Sequence, residues 1–362
     1  MYLITNRQIL DEKGLDAFGD TPNSNGPNEL RLMQVEKDRK TKAWLVSTID
    51  NELSSTEVEK LNKTYKLGIN TEEKWYASLR IACELFKQAR TEQKSILFFV
   101  HGYNNDVGDV IKAALEIEKL HNVIVVPFTW PANGGGPISG TASYLSDKAD
   151  ARASAGALNR AVGKIQQFHR LLTAARKAEL EGRAKIKFPN NSSAAYSHFS
   201  KLMEKDCSVT LNLLCHSMGN YVFKNTLKTS DNITSKLVFD NICLVAADTN
   251  SKNHADWVGQ LDVRSRVNIV INEKDSALKA SRLKPGDEQL ARLGHYTKKL
   301  NSSNAYYIDV TGVAKVGSEH TYFKGSAMQN LALKKLFTTM FNGRPVEGML
   351  KYHADNNSYK FK

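Results

Sequence analysis

The chain has 362 residues, 50 lysines and arginines against 38 aspartates and glutamates, and a formal charge of +12. With 41% hydrophobic and 24% charged residues it has the balance of a soluble globular protein of one or two domains. Three classes are excluded: no apolar run reaches the roughly 18 residues of a membrane helix, the opening lacks a secretory leader, and the dispersed basic residues lack the interleaved aromatics of a nucleic-acid module.

Taken in order, Tyr2 to Thr5 reads as a first strand. The stretch Phe18 to Pro27, rich in Gly, Pro and Asn, reads as a loop, and Leu30 to Val35 and Ala43 to Ile49 as two further strands in an antiparallel opening over residues 1–70. Between Glu72 and Arg90, residues Trp75, Leu79, Ala82, Cys83, Leu85 and Phe86 share one helical face. Ser95 to Val100 is a continuous apolar run of the kind found in central parallel strands. A helix follows from Val107 to Leu120, then a buried strand from Val123 to Phe128 ending at Trp130-Pro131. This alternation predicts a mostly parallel sheet covered by helices on both faces.

From Pro131 to Asp206 the alternation breaks. Asn133 to Pro137 is a glycine-rich loop, Ala149 to Arg183 a long alanine-rich helix, and Tyr196 to Glu204 a shorter one. This segment is expected to lie as a cap over the carboxyl ends of the strands, where open α/β sheets bind ligands. Strands resume at Ser208 to Leu214, Asn241 to Ala247, Val267 to Ile271 and Ala305 to Val310. A helix is predicted from Tyr322 to Phe341 at the end of a main domain over 71–342, with a polar, frayed tail over 343–362. Cys83, Cys207, Cys215 and Cys243 lie far apart with no metal-ligand spacing. They read as free thiols in a reducing, cytoplasmic compartment.

The chemistry gathers at Leu213-Leu214-Cys215-His216-Ser217-Met218-Gly219. An apolar strand turns sharply into a helix at Ser217, a near-match to the G-x-S-x-G nucleophile elbow. A serine hydroxyl is a weak nucleophile unless a base takes its proton, and that base needs an orienting carboxylate. On hydrolase sheets the partners follow in the order serine, acid, histidine. Of the 9 histidines, only His320 lies both beyond the acids and between the last strand and a helix. Asp275, immediately before that last strand, is the expected acid, and Asp248, one strand earlier, the alternative. The backbone N–H groups of Tyr103 and Met218 are the expected oxyanion donors. Gly102, Tyr144 and His216 are the expected substrate contacts, and His101 is read as a structural hydrogen-bonder.

The set Phe99-Val100-His101-Gly102-Tyr103-Asn104, Phe128-Thr129-Trp130-Pro131, Cys215-His216-Ser217-Met218-Gly219, Asn272 to Leu278, Arg292-Leu293-Gly294 and His320 resembles the α/β-hydrolase superfamily, closest to its bacterial DUF900 branch. The likeness spans Leu97 to Phe323 and extends to the opening Tyr2 to Arg7. Tyr144, Asp147 and Ser154 match a tyrosine, aspartate and serine of the family pattern, whereas Cys215 stands where many relatives carry glycine. The resemblance implies an eight-stranded type of sheet, a serine triad, and neither cofactor nor metal. The expected activity is hydrolysis of a carboxylic ester, with lipid and thioester acyl groups as candidates because Tyr144, Phe168, Tyr196 and Phe199 supply aromatic surface. A catalytically silent protein of the same fold, binding a ligand or partner, is the alternative, and no nucleic-acid partner is expected.

Overall fold

The computed structural model describes residues 1–49, 52–132, 140–206, 209–229, 237–283 and 291–362, with side chains at 140–143 and 205–206 left aside. The glycine-rich stretch Asn133 to Pro137 and Cys207 lie outside the described residues. The N-terminal part is β1 (Tyr2–Thr5), β2 (Arg7–Ile9), β3 (Phe18–Pro22), β4 (Arg31–Lys37), β5 (Trp44–Thr48) and the helices α1 (Ser55–Tyr65) and α2 (Ala77–Glu92). Then come β6 (Ser95–Val100), α3 (Val107–His121), β7 (Val123–Thr129), α4 (Gly140–Ala153), α5 (Ala155–Lys187) and α6 (Ser192–Asp206). The rest is β8 (Leu211–His216), α7 (Gly219–Lys228), β9 (Asn241–Val245), α8 (Ala255–Val258), β10 (Arg266–Ile271), α9 (Ser276–Arg282), β11 (Ala305–Asp309), α10 (Leu331–Phe341), β12 (Leu350–His353) and β13 (Ser358–Phe361).

Eleven strands form one sheet in the order β12-β13-β11-β10-β9-β8-β6-β7-β1-β4-β5. From β13 through β1 neighbours run parallel, and antiparallel pairs close each edge. The central strands are largely apolar because both faces are covered, with Asn212, Asn241 and Asn268 among the buried polar exceptions. Phe98, Val126, Leu213 and Leu244 point to the side packed by α5 and α7, while Leu97, Val125, Leu214 and Cys243 point to the side packed by α3 and α10. Period-2 alternation thus serves two cores. The architecture is the expected α/β one, with a sheet wider than the eight-stranded type.

Several elements differ from expectation for local reasons. Phe18–Pro22 is a strand, not loop, because it pairs with β2 in a separate hairpin. The helix α1 went unpredicted although Ser54 and Glu57 form a reciprocal capping box at its start. α10 begins later than Tyr322, at Leu331, where the Asn330 side chain accepts from the Leu333 N–H. The polar end does not fray: β13 extends the sheet beside β11, and β12 folds back on it. Tyr352 and Tyr306 each pack against Tyr359, with ring centroids 5.1 and 5.9 Å away, so an aromatic ladder replaces the aliphatic run that usually betrays a strand.

The segment after Pro131 divides its duties. α4 brings Tyr144 and Asp147 to the sheet's carboxyl edge, where they join residues of other loops. The first half of α5 instead packs on a sheet face through Ala157, Leu158, Ala161 and Val162, and Phe168 and Leu172 continue into a core shared with α1 and α2. α6 packs on α5. Phe168 is therefore core, and Tyr196 and Phe199 sit on α6 outside the cleft lining, so that of the four aromatics expected near a substrate only Tyr144 lines the cleft.

Candidate active site

Ser217 opens the two-residue turn, Ser217-Met218, between β8 and α7 with φ +52°. An L-residue rarely adopts this left-handed conformation, and here the surroundings enforce it. The Ser217 N–H donates to the Val245 carbonyl, and its carbonyl accepts from Asn220 and Asp248 N–H groups. The Asn220 amide donates to the carbonyls of Cys215, Ser217 and Val245, binding both sides of the turn. Close approach falls on two glycines. A Cβ on Gly219 would lie 2.5 Å from the Val100 oxygen and 2.6 Å from that of His101, and one on Gly102 would lie 2.7 Å from Ser217 Cβ. Cys215 in place of a glycine is tolerated because its side chain is buried in the α7-side core, among Val100 and Leu244, away from both contacts.

His320 follows β11, and its Nδ1 lies 2.7 Å from Asp275 Oδ2. Asp275 is fully buried, and its other oxygen accepts the Leu278 N–H as the N-cap of α9. An ionised carboxylate only accepts, so Nδ1 carries the proton and Nε2 presents its lone pair. His216 steadies this loop by donating from Nε2 to the His320 carbonyl at 3.1 Å, with ring centroids 4.7 Å from His320 and 5.1 Å from Phe323. Burial first, and then the neighbouring His320, hold the His216 pKa well below that of a free imidazole. No hydrogen bond joins Ser217 Oγ to His320 among the described residues; both line the same cleft.

The loop after β6 carries Gly102, Tyr103, Asn104 and Asn105. His101 stays neutral: it donates from Nδ1 to the Gly102 carbonyl, accepts the Trp130 N–H on Nε2 and stacks on the Trp130 ring 5.3 Å away. Burial pushes its pKa down to about 3, which fits the structural role expected for it. Arg7 has no role in the sequence reading, yet its buried guanidinium ties the loop to its surroundings. It donates to the carbonyls of Asn105, Ala132 and Gly19 and to Thr129 Oγ1. Burial lowers its pKa to about 10. Asp147 accepts the Asn104 N–H at 3.4 Å, and the Asn105 amide donates to the Gly102 and Tyr103 carbonyls. Met218 is the N-cap of α7 and offers no side-chain cap; the Asn220 and Tyr221 N–H groups donate to the Ser217 and Met218 carbonyls, which leaves the Met218 and Gly219 N–H groups without a hydrogen bond among the described residues.

Asp248 lies away from His320 in a different network. Its Oδ2 accepts Tyr144 Oη at 2.9 Å, and its Oδ1 accepts Ser281 Oγ at 2.7 Å and faces Arg292 Nε at 3.0 Å. Arg292, also without an expected role, reaches Asn250 Oδ1 and Ser281 Oγ as well. Burial and the Asp248 charge raise the Tyr144 pKa well above the usual phenol value. Gly294, two residues on, approaches the chain so closely that a Cβ would lie 2.2 Å from Ala247 N. Arg292 and Gly294 thereby lock the loops after β9 and β10 together. No sequence signal short of the Arg292-Leu293-Gly294 motif points to this.

These parts open onto one cleft of about 620 Å³, lined by Gly102, Tyr103, Tyr144, His216, Ser217 and His320 on the chemical side. Phe99, Ala113, Leu278 and Phe323 add apolar wall, and Lys112, Glu116 and Lys324 stand at one margin. Among the described residues no cluster of His, Cys, Asp or Glu is arranged to hold a metal, and no helix is long and apolar enough to cross a membrane. The family model for an α/β hydrolase of unknown function (DUF900) matches residues 81–172 and 187–337. No curated protein and no solved structure matches the chain.

Proposed function

Since the chain belongs to the DUF900 family of α/β hydrolases, we propose that it is a serine hydrolase that cleaves a carboxylic ester through an acyl-enzyme. Ser217 Oγ attacks the ester carbonyl while His320 Nε2 takes its proton. The developing oxyanion is held by the N–H groups of Tyr103 and Met218, and Asp275 keeps the imidazole in the required tautomer and stabilises it once protonated. His320 then gives the proton to the departing alcohol or thiol. Water enters, loses a proton to His320 and attacks the acyl carbonyl, and His320 returns that proton to Ser217 Oγ as the acid departs. The observation that carries this reading is the 2.7 Å pair between His320 and a fully buried Asp275 in the cleft that holds a serine at φ +52°.

The apolar wall of Phe99, Leu278 and Phe323 beside the polar group of Tyr144, Asp248 and Ser281 favours an ester with both apolar and hydrogen-bonding parts. The free buried thiols Cys83, Cys215 and Cys243 favour a reducing, cytoplasmic setting. The second reading, a silent ligand-binding protein, draws on the missing Ser217–His320 hydrogen bond, although such bonds often tighten only with substrate in place.

Labelling with a fluorophosphonate probe separates the two. The serine-hydrolase reading expects modification at Ser217, located by mass spectrometry, absent in Ser217→Ala and His320→Ala. A folded, monodisperse sample that resists the probe and turns over no p-nitrophenyl ester of any chain length would favour the binding protein.

A further inference from the structure

The helix α5 continues for 33 residues, well past the core it packs on. Beyond Leu172 its buried positions are Leu180 and Ala184, and α6 returns along it after a four-residue connection, 188–191. At this tip two large apolar side chains are left in solvent: Ile186 is 81% and Tyr196 71% exposed. The same two helices carry Arg183, Lys187 and Lys201, all exposed and forming no ion pair among the described residues, whereas Lys185 is neutralised by Glu181 at 2.8 Å. The three charges share one neighbourhood. His198, whose ring meets Phe188 at 5.7 Å, has its pKa lowered by desolvation and then by Lys187, Arg183 and Lys201 together.

Neither feature helps the fold. Ile186 and Tyr196 bury little there, and unpaired like charges repel one another. Both features suit one kind of partner. An anionic bilayer attracts basic residues to its headgroups and accepts aliphatic and aromatic side chains at the interfacial depth, and the two terms add where either alone is weak. A nucleic acid would use the cations but offers an isoleucine nothing, and the net charge of +12 supplies long-range attraction to any such surface.

We propose that the α5–α6 tip docks the protein on an anionic lipid surface, with Arg183, Lys187 and Lys201 at the phosphate headgroups and Ile186 and Tyr196 in the interfacial layer. The inference is independent of the chemistry at Ser217 and would stand if that serine were inert.

The test is co-sedimentation of the full chain with vesicles of phosphatidylcholine, alone or mixed with phosphatidylglycerol, at low and near-physiological salt. Binding is expected on the mixed vesicles only and should weaken as salt rises. Each basic contact contributes about fivefold, so Arg183→Glu, Lys187→Glu and Lys201→Glu combined should weaken binding by a hundredfold or more. Ile186→Ser with Tyr196→Ser should weaken it at least several-fold while leaving the salt dependence in place. All five positions are on the surface, and an unchanged melting temperature would confirm that the variants remain folded. Equal binding by native and substituted tips, or none to mixed vesicles, overturns the proposal. Preferential binding to single- or double-stranded DNA, or self-association that Ile186→Ser and Tyr196→Ser abolish, also overturns it.

Discussion

Two buried aspartates stand at one edge of the sheet, and their neighbours separate what each can do. Asp275 holds His320 and caps α9, so Asp275→Asn keeps the cap but presents the imidazole in the wrong tautomer. The rate of ester turnover and of fluorophosphonate labelling should fall by about 10³–10⁴-fold with the melting temperature little changed. Asp248 is the counter-ion of a buried arginine. Asp248→Asn leaves Arg292 uncompensated and should cost about 3–5 kcal/mol of stability, while the folded fraction keeps its reactivity within about tenfold of the native rate. Paired thermal melts and labelling rates check both, and the opposite pattern, reactivity lost with Asp248 and kept without Asp275, would exchange the two roles. Ser217, Asp275 and His320 were legible because their chain order and strand-end positions survive in the sequence. Arg7, Asn220, Ser281 and Arg292 were not, because their partners lie on other elements, as far as 125 residues away for Arg7 and Ala132, and hydrogen bonding of that kind has no period.

At the scale of the element, the strand–turn–helix at Ser217 depends on how closely β8, α7 and the end of β6 can approach. Gly219→Ala would drive a methyl into the Val100 and His101 carbonyls, where rigid backbone must move. A loss of about 1–3 kcal/mol and a Ser217 displaced from its reactive geometry are expected. Cys215→Ala changes a side chain that faces the core and should cost roughly 1 kcal/mol with labelling within a few-fold of native. Urea denaturation and labelling of the two variants would decide it; a Cys215→Ala enzyme as inert as Gly219→Ala would mean that the elbow depends on the cysteine. Elements with strong periodicity or continuous apolar runs were readable. α1 was not, because its apolar stripe is thin and its capping box is a four-residue signal, and β3, β12 and β13 were not, because short polar strands owe their form to the partner beside them.

Across the whole molecule, three neutral histidines pin distant parts of the sheet edge and its helices. His101 anchors the loop after β6, His216 the loop of His320, and His121 joins α3 to Thr338 Oγ1 of α10 and to the Phe323 carbonyl. Burial lowers the pKa of His101 to about 3, that of His121 to about 4, and that of His216 well below its ordinary value. In the unfolded chain each titrates near its ordinary 6.5. Between about pH 6.5 and pH 4 the unfolded state therefore binds protons that the folded state refuses, and stability falls as pH falls. The slope approaches roughly 1.4 kcal/mol per pH unit for each histidine, or about 4 for the three. Glu118, Asp150 and Asp240, raised by burial, act in the opposite sense near the foot of this window. Above pH 6.5 the three histidines contribute no slope. Urea midpoints at pH 7.5, 6.5, 5.5 and 4.5 should be level between the first two and then drop. His169, lowered by burial to about 4, and His254 and His295, also lowered, add to the slope, so His121→Gln, outside the cleft lining, should flatten the drop by less than a third even as it lowers stability at pH 7.5. A native protein equally stable at pH 7.5 and 4.5 would mean that these imidazoles accept protons without leaving their carbonyl and hydroxyl partners, and the closed, neutral packing around them would have to be abandoned.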